Sequence, residues 1–385
     1  MRGLVKLTAR AVSFIPCRQC GGGRPPAPLG GRILSNPDDV FKHNMWDHVQ
    51  WTEEEREKAR QKAEENSEEK IPVEEQSKYD REAHKYWDQF YEMHQNKFFR
   101  NRNWLFTEFP ELLPPDTGGM LMAEQEQGLQ SVNREKHNYK DTYPGHHAAF
   151  RILEVGCGAG NSVFPIINTI RGSKAFLYCC DFSSRAIELI QKHPDYDPAV
   201  CHAFVRDICD ATSPFPFPPE SLDIILVVFV LSAIHPARAQ AVVRGLAGLL
   251  KQGGMVLFRD YGRYDLSQLR FKKGQCLSEN FYSRQDGTCV YFFTKDEVHD
   301  LFSAAGLEEL QNLEDRRLQQ MATRHDAVSR VCAPISSCAL CQRCQFARCS
   351  CLYLTKVSSI PTVRVELRQT HEVRFVMLHP GPSVL

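Results

Sequence analysis

The chain of 385 residues lacks any uninterrupted run of about 18 apolar residues. Its most apolar stretch, Ile224 to Ile234, is far too short to span a bilayer, so insertion by a transmembrane helix is not expected. Net charge is absent too, 47 Lys+Arg balancing 47 Asp+Glu. No internal repeat is present, which argues against a solenoid or propeller. Nor is there a disulfide framework. Of fifteen Cys, nine are scattered singly or in adjacent pairs through the first 289 residues, and the chain is far longer than a small secreted scaffold. A reducing compartment fits better. What remains is ordinary for a globular protein: 42% hydrophobic and 24% charged residues exclude global disorder. The length suits one elaborated domain or two small ones.

The charge balance hides an uneven distribution. Residues 1–37 contain no acid and six bases, Arg2, Lys6, Arg10, Arg18, Arg24 and Arg32. Leu4, Leu7, Ala11 and Phe14 can share a helical face that the early bases flank. An acid-free, Arg-bearing amphipathic segment describes a mitochondrial presequence, whereas a secretory signal needs an unbroken apolar core. The bland alternative is a basic tail with no address. Cys17 and Cys20 form a C-x-x-C without a second pair nearby, so a zinc site is not expected there.

Composition divides the rest. Residues 38–113 are helical in pattern, with a solvated charge run from Glu53 to Glu82. Residues 114–149 lack apolar periodicity and read as a flexible linker. From 150 to 319 strands and helices alternate, the pattern of an α/β domain with a mainly parallel, doubly wound sheet. Residues 320–385 form a Cys-rich tail of another character, with six Cys and eight Arg/Lys against three acids.

The informative stretch is Arg151-Ile-Leu-Glu-Val-Gly-Cys-Gly-Ala-Gly-Asn161. An apolar strand runs into Gly156, Gly158 and Gly160, then into a helix near Ser162. Glycines there let backbone approach a ligand, and the helix start offers free N–H groups. The dinucleotide fingerprint would need a third glycine at 161, where Asn161 stands. Glu154 with the three glycines instead resembles the first motif of class I S-adenosylmethionine (SAM)-dependent methyltransferases. Later elements fall in the same order. Phe176–Asp181 reads as the second strand, ending in a carboxylate able to accept both ribose hydroxyls. Asp207 and Ile208, after a third strand, would flank the adenine. Leu222–Val230 is a buried fourth strand and Met255–Asp260 the fifth. Any one of these acids could be a cap or an ion-pair partner; four elements in register favour the cofactor reading.

The acceptor is partly legible. Enzymes acting on exocyclic amines usually carry Asp/Asn-Pro-Pro-Tyr after the fourth strand; here the chain reads Val230-Leu-Ser-Ala-Ile-His-Pro236. No Pro-Cys nucleophile is present either. A ring nitrogen with an in-plane lone pair needs neither device, only positioning and surroundings that tolerate a cationic product. Asp260 is the candidate for that electrostatic role. His235 is a possible general base, although a His before Pro more often starts a helix.

Beyond the fifth strand, Arg263, Arg270, Lys272, Lys273 and Arg284 alternate with Tyr264, Phe271, Phe281, Tyr282 and Tyr291. Bases among aromatics suit RNA, bound through phosphates and stacked bases; the alternative is that some of these rings are core. Gln285-Asp-Gly-Thr288 is a hairpin turn. The stretches LEVGCGAGNSVFP, RDYGRYD, LRFKKGQCLSENFYSRQDGTCVYFFT, FKHNMWDHVQW, HKYWDQFYEMHQNKFFRNRNWL and TEFPEL closely resemble the tRNA 3-methylcytidine methyltransferases, over roughly residues 28–113 and 150–319. With the presequence, the resemblance is to a mitochondrial member. It implies SAM-dependent N3 methylation of cytidine 32 in the tRNA anticodon arm, of mitochondrial threonine and serine tRNAs in the matrix, with seryl-tRNA synthetase as a possible partner. It also implies cofactor contacts from Trp87, Tyr91, Gly156, Asp181, Asp207, Ile208 and Val228. Residues 38–113 are accordingly expected to form an N-terminal RNA-binding region that also covers the cofactor.

The resemblance stops after Gln319, where the family continues into an apolar strand that closes a hairpin at the sheet edge. The tail is expected to lack that strand and to be poorly ordered, although Thr362–Arg368 and Glu372–Leu378 alternate in a way that could substitute. Cys338, Cys341 and Cys344 invite a zinc reading, but no second C-x-x-C pair follows; no metal is expected. The rival function is a SAM-binding, RNA-binding regulator without turnover because of the altered tail. A small-molecule methyltransferase is disfavoured by the basic-aromatic hairpin and the long N-terminal extension.

Overall fold

A computed structural model of the chain describes residues 45–46, 49–114, 143–323 and 364–380. The presequence, both Cys17 and Cys20, and the Cys-rich stretch 332–351 lie outside them. Strand β1 (Met45–Trp46) is followed by α1 (Glu53–Ser67), α2 (Val73–Arg81), α3 (Ala83–His94) and α4 (Leu105–Glu108). Thr52 and Glu55 start α1 with a reciprocal capping box. The charge run Glu53–Glu82 maps onto the exposed faces of α1 and α2, satisfied by pairs such as Lys62–Glu65 at 3.0 Å.

The α/β domain alternates β2 (Phe150–Val155), α5 (Val163–Ile170), β3 (Ala175–Asp181), α6 (Ser184–Gln191), β4 (Cys201–Val205), β5 (Leu222–Val228), α7 (Pro236–Ala247) and β6 (Leu250–Tyr261). After a short α8 (Leu266–Leu269) come β7 (Cys276–Ser278), β8 (Phe281–Ser283) and β9 (Cys289–Tyr291). Then follow α9 (Lys295–Ser303), β10 (Glu308–Thr323) and β11 (Arg364–Leu378). The large sheet has the order β1-β10-β11-β6-β5-β2-β3-β4. β4, β3, β2, β5 and β6 pair in parallel; β11 is antiparallel to both β6 and β10. The long apolar runs of β3 and β5 are buried throughout because helices cover both faces. One core lies under α7 and α9, the other under α4, α5 and α6.

The tail differs from the expectation. Arg364–Leu378 supplies the closing strand, and it lies inside the sheet between β6 and β10 rather than at its edge. Val373, Phe375 and Met377 face one core and Val376 the other, which gives the second alternating run a buried place on both sides. The boundary at 319 also falls inside β10. At the other end, the domain begins before 150: the Tyr178 hydroxyl donates to Pro144 O, and Arg151 Nε donates to Gly145 O at 3.1 Å.

β7, β8 and β9 form a separate antiparallel sheet that packs on the N-terminal helices through Ile71, Leu277, Phe281 and Cys289. Ser67 Oγ and Tyr282 OH lie 2.8 Å apart, and Asn66 Nδ2 donates to Leu269 O at 3.2 Å. The N-terminal helices and the hairpin therefore make one unit beside the carboxyl edge of the parallel strands.

Candidate active site

β2 is the switch point of the sheet, with β3 built on one side and β5 on the other, and the crevice beyond such a point is where α/β sheets hold ligands. A cleft enclosing about 890 Å³, part of it open to solvent, lies there, lined among others by Trp87, Tyr91, Gly156, Asp181, Asp207 and Ile208. Six residues separated by more than a hundred positions thus converge on one site.

The glycine loop is shaped by its neighbours. Gly156 has φ 60°, and a Cβ there would fall 2.5 Å from Val230. Gly158 has φ 53°, and a Cβ would fall 2.8 Å from the Tyr91 hydroxyl. Gly160, at φ 89°, is pressed against Phe164 and shapes the loop rather than lining the cleft. Asp181 closes the loop from the end of β3: its carboxylate accepts from Gly158 N at 3.0 Å and from Ser183 N at 2.9 Å. Burial pushes its pKa up to about 6, against the pull of those N–H bonds.

Glu154 is almost fully buried, and neither carboxylate oxygen accepts a hydrogen bond. The nearest cation is Arg102, whose Nη1 is 3.8 Å away and is itself bonded to Ser162 Oγ at 2.9 Å. Burial pushes Glu154 up to about 7, with Arg102 opposing. Glu154 itself is not part of the cleft lining; it lies directly before a glycine cradle whose cleft carries Asp181 and Asp207. That pair of wall carboxylates with a buried carboxylate behind the loop fits a nucleoside bearing an ammonium group, as SAM does.

Helix α3 forms the wall opposite the loop. Trp87 and Tyr91, one turn apart, stack at 5.9 Å, and burial with the nearby Asp181 charge holds the Tyr91 hydroxyl well above its ordinary pKa. At the end of β5 the side chain of Val228 is buried in the core with Leu226 and Leu257; the cleft is lined instead by Phe229 and Val230. Phe229 has φ 59°, a strained value for an aromatic residue, and its N–H donates to Arg259 O at 2.8 Å. Nothing in the apolar run 222–230 signals which residue leaves the strand. Arg206, Asp80 and Arg238 also line the cleft and were not legible either. A second cavity adjoins it across Asp80, Arg81, Ala83, Ala233 and Arg238, and is walled by Leu277, Phe281 and Cys289.

Other expected site residues lie elsewhere. Asp260 is fully buried and does not line the cleft. Its oxygens accept from Ser232 N at 3.0 Å and Tyr261 N at 2.9 Å, which makes it a positioning residue for the turn after β5. Burial pushes its pKa up to about 6, with those bonds opposing. His235 starts α7, accepting from Ala237 N at 3.3 Å. In the hairpin, Phe281 and Tyr282 are buried: Tyr282 stacks on Phe271 at 4.7 Å and cannot receive a base, while Phe281 meets only the second cavity and offers no exposed stacking face. Arg263 pairs with Glu297 at 2.7 Å, Arg284 donates to Cys289 O at 3.3 Å, and Lys273 pairs with Glu68. Arg270 and Lys272 are exposed.

A sheet of this order, with a carboxylate-closed glycine loop at the switch point, defines a class I SAM-dependent methyltransferase. The family described as a methyltransferase domain matches residues 153–256. The tRNA N(3)-cytidine methyltransferase METTL2 of Danio rerio is 54% identical over 295 residues, covering 76% of this chain and 83% of the relative. That of Gallus gallus is 50% identical over 333 residues, covering 76% and 90%. The Homo sapiens tRNA N(3)-cytidine methyltransferase METTL8, mitochondrial, is 46% identical over 271 residues, covering 58% and 93%. The chain belongs to the tRNA N(3)-cytidine methyltransferase family.

Proposed function

We propose that the protein methylates N3 of a cytidine in tRNA, position 32 of the anticodon loop, with SAM as the methyl donor. The observation that carries this reading is the convergence of Trp87, Tyr91, Asp181 and Asp207 on one cleft in a chain of this family. When bound, SAM supplies a methyl group on a sulfonium, so transfer relocates one positive charge onto the pyrimidine without creating another. Asp181 would hold the ribose hydroxyls, Asp207 and Ile208 the adenine edge, and Glu154 the ammonium group. Trp87 and Tyr91 would cover the nucleoside and exclude water.

The adjoining cavity would admit the cytosine, its apolar wall of Leu277 and Phe281 matching a flat ring. Cytosine N3 carries a free in-plane lone pair, so no general base is required and His235 can remain a helix cap. What the site contributes is alignment, which can lower a barrier by about 7–11 kcal/mol.

The acid-free, Arg-bearing N-terminus supports action on mitochondrial tRNAs, of the threonine and serine types, in the matrix, with seryl-tRNA synthetase as a candidate partner. The pairing of β11 with β6, which closes the sheet on that side, supports the enzyme reading over a regulator without turnover. The test is transfer from labelled SAM to mitochondrial tRNA transcripts, with and without the synthetase, mapping the product base. The reading expects 3-methylcytidine at position 32, absent with Asp181→Ala. SAM binding with no methylated base would favour the regulator. Import of the full chain into isolated mitochondria, with loss of import on deleting 1–37, tests the location.

A further inference from the structure

Since Tyr282 is core and Phe281 meets only the second cavity, an exposed stacking surface for the bases around the target must be sought elsewhere. The exposed large hydrophobic residues among those described include two aromatics, Phe98 at 54% and Phe99 at 38%, adjacent in the turn after α3. Met93, at 77%, precedes them on the same helix end. The sequence from Met93 to Thr107 contains no acid, and Lys97, Arg100 and Arg102 lie within it. Arg102 turns inward to Ser162 and Glu154. Lys97 and Arg100 are exposed, and neither has an ion-pair partner among the described residues. Rings and cations at one exposed turn are the combination that holds single-stranded nucleic acid, through stacking and phosphate contact.

The turn is packed on α3 and tied to the glycine loop of the cleft. Phe98 packs edge-on against Phe90 at 4.9 Å and Phe99 at 4.7 Å, and Phe90 packs in turn against Tyr91 at 5.4 Å. Asn161, next to the last loop glycine, donates from Nδ2 to Phe99 O at 3.0 Å and accepts from Arg102 N at 2.8 Å. Gln95, at φ 51°, sets the sharp change of direction that leaves the rings outside.

We infer that the turn from Gln95 to Asn101 is an RNA contact surface, on which Phe98 stacks an unpaired base next to the target nucleotide while Lys97 and Arg100 contact its phosphates. This deepens, and rests on, the tRNA reading of the neighbouring cleft. RNA is favoured over a membrane or protein partner because the turn is tied to the glycine loop of a nucleoside cleft, where the nucleotides flanking the target would pass.

The test uses the full chain, tRNA transcripts and SAM. Phe98→Ala should weaken tRNA binding about 5- to 160-fold, the worth of one base–aromatic stack. SAM affinity should be unchanged, the variant should remain folded with a modestly lower thermal midpoint from the lost ring contacts, and Phe98→Trp should restore tRNA binding. Lys97→Ala with Arg100→Ala should reduce the slope of log affinity against log salt by about 1.4, or about 0.7 per single-strand phosphate. A 4-thiouridine placed in the anticodon loop should cross-link to the peptide containing Phe98. Unchanged tRNA affinity in Phe98→Ala would overturn the inference. So would a loss confined to binding of anionic vesicles, or a cross-link confined to the β8–β9 hairpin. If the wild type binds tRNA but makes no 3-methylcytidine, the activity reading fails while this assay still reports on the surface. If Phe98→Ala binds and methylates normally, the surface fails and the activity stands.

Discussion

The Ser183 hydroxyl donates a 2.5 Å hydrogen bond to the Asp88 carboxylate, joining helix α3 to the turn that follows Asp181. The same hydroxyl caps α6 by accepting from Ala186 N at 3.2 Å, while Ser183 N holds Asp181. One serine therefore couples the helix that covers the cleft to the carboxylate at its floor. A hydrogen bond to a charged group is worth about 1.5–3 kcal/mol. Asp88→Ala should accordingly raise the SAM Kd about 10- to 100-fold by calorimetry. Ser183→Ala should do the same, and the double variant should lose less than the sum, because the two act as one contact. Normal SAM binding in Asp88→Ala would show that α3 is held by its rings and the Arg185–Glu92 pair without this bond.

Glu108 sits at the centre of a buried charge network. It lies 3.4 Å from Arg259 Nη1 on β6, 3.2 Å from Arg374 Nη1 on β11 and 3.1 Å from Arg317 on β10. Arg259 also pairs with Asp315 at 2.6 Å and with Glu372. Removing one partner of such a set leaves uncompensated buried charge, costing about 3–5 kcal/mol. Glu108→Ala should lower unfolding free energy in urea by that amount. A chain ending before residue 364 loses Glu372 and Arg374 together and exposes the edges of β6 and β10, so it should aggregate and fail to bind SAM. Soluble, SAM-binding truncated protein would show that β11 is dispensable.

Much of the cofactor side was legible because it depends on local sequence. The glycines, Asp181 and Asp207 each follow a recognisable apolar strand, and their spacing sets where the strand ends fall. The tail was legible only in part: the alternation of Glu372–Leu378 marks a candidate strand, but its partner β6 lies more than a hundred residues away, and the burial of Arg374 makes sense only beside Glu108. Phe281 and Tyr282 misled for a related reason: a basic-aromatic alternation looks the same whether rings face solvent or helix α1. Sequence alone does not show that Ser67 and Ile71 cover that face.

Asp260 offers a direct contrast of roles. Its carboxylate satisfies two buried backbone N–H groups, so Asp260→Ala should cost about 2–5 kcal/mol of stability through the unpaired donors. Methyl transfer should fall with it, through displacement of Val230 and Ala233, with KM for SAM rising. A catalytic role would give the other pattern: Asp260→Asn with normal stability and SAM affinity but a collapsed kcat.

The buried carboxylates also set a pH dependence. Glu154 rises from an ordinary 4.5 to about 7 and Asp181 from 3.8 to about 6, burial being the main cause in both. A carboxylate with a raised folded pKa favours folding while protonated. That contribution is complete below the unfolded value and is lost as pH climbs through the folded one, so the SAM-free protein should become less stable between about pH 4 and 7. Cofactor binding has the opposite sign, because the hydroxyls and the ammonium group are best held by ionised carboxylates. SAM affinity should rise over the same window, by up to about tenfold per pH unit for each carboxylate below its folded pKa, with proton release on binding. Calorimetry in buffers of different ionisation enthalpy from pH 5.5 to 8 reads both effects. Glu154→Gln should remove the dependence near neutrality and leave the part due to Asp181. A Kd independent of pH in the wild type, with no protons released, would mean that neither carboxylate meets the cofactor in its ionised form.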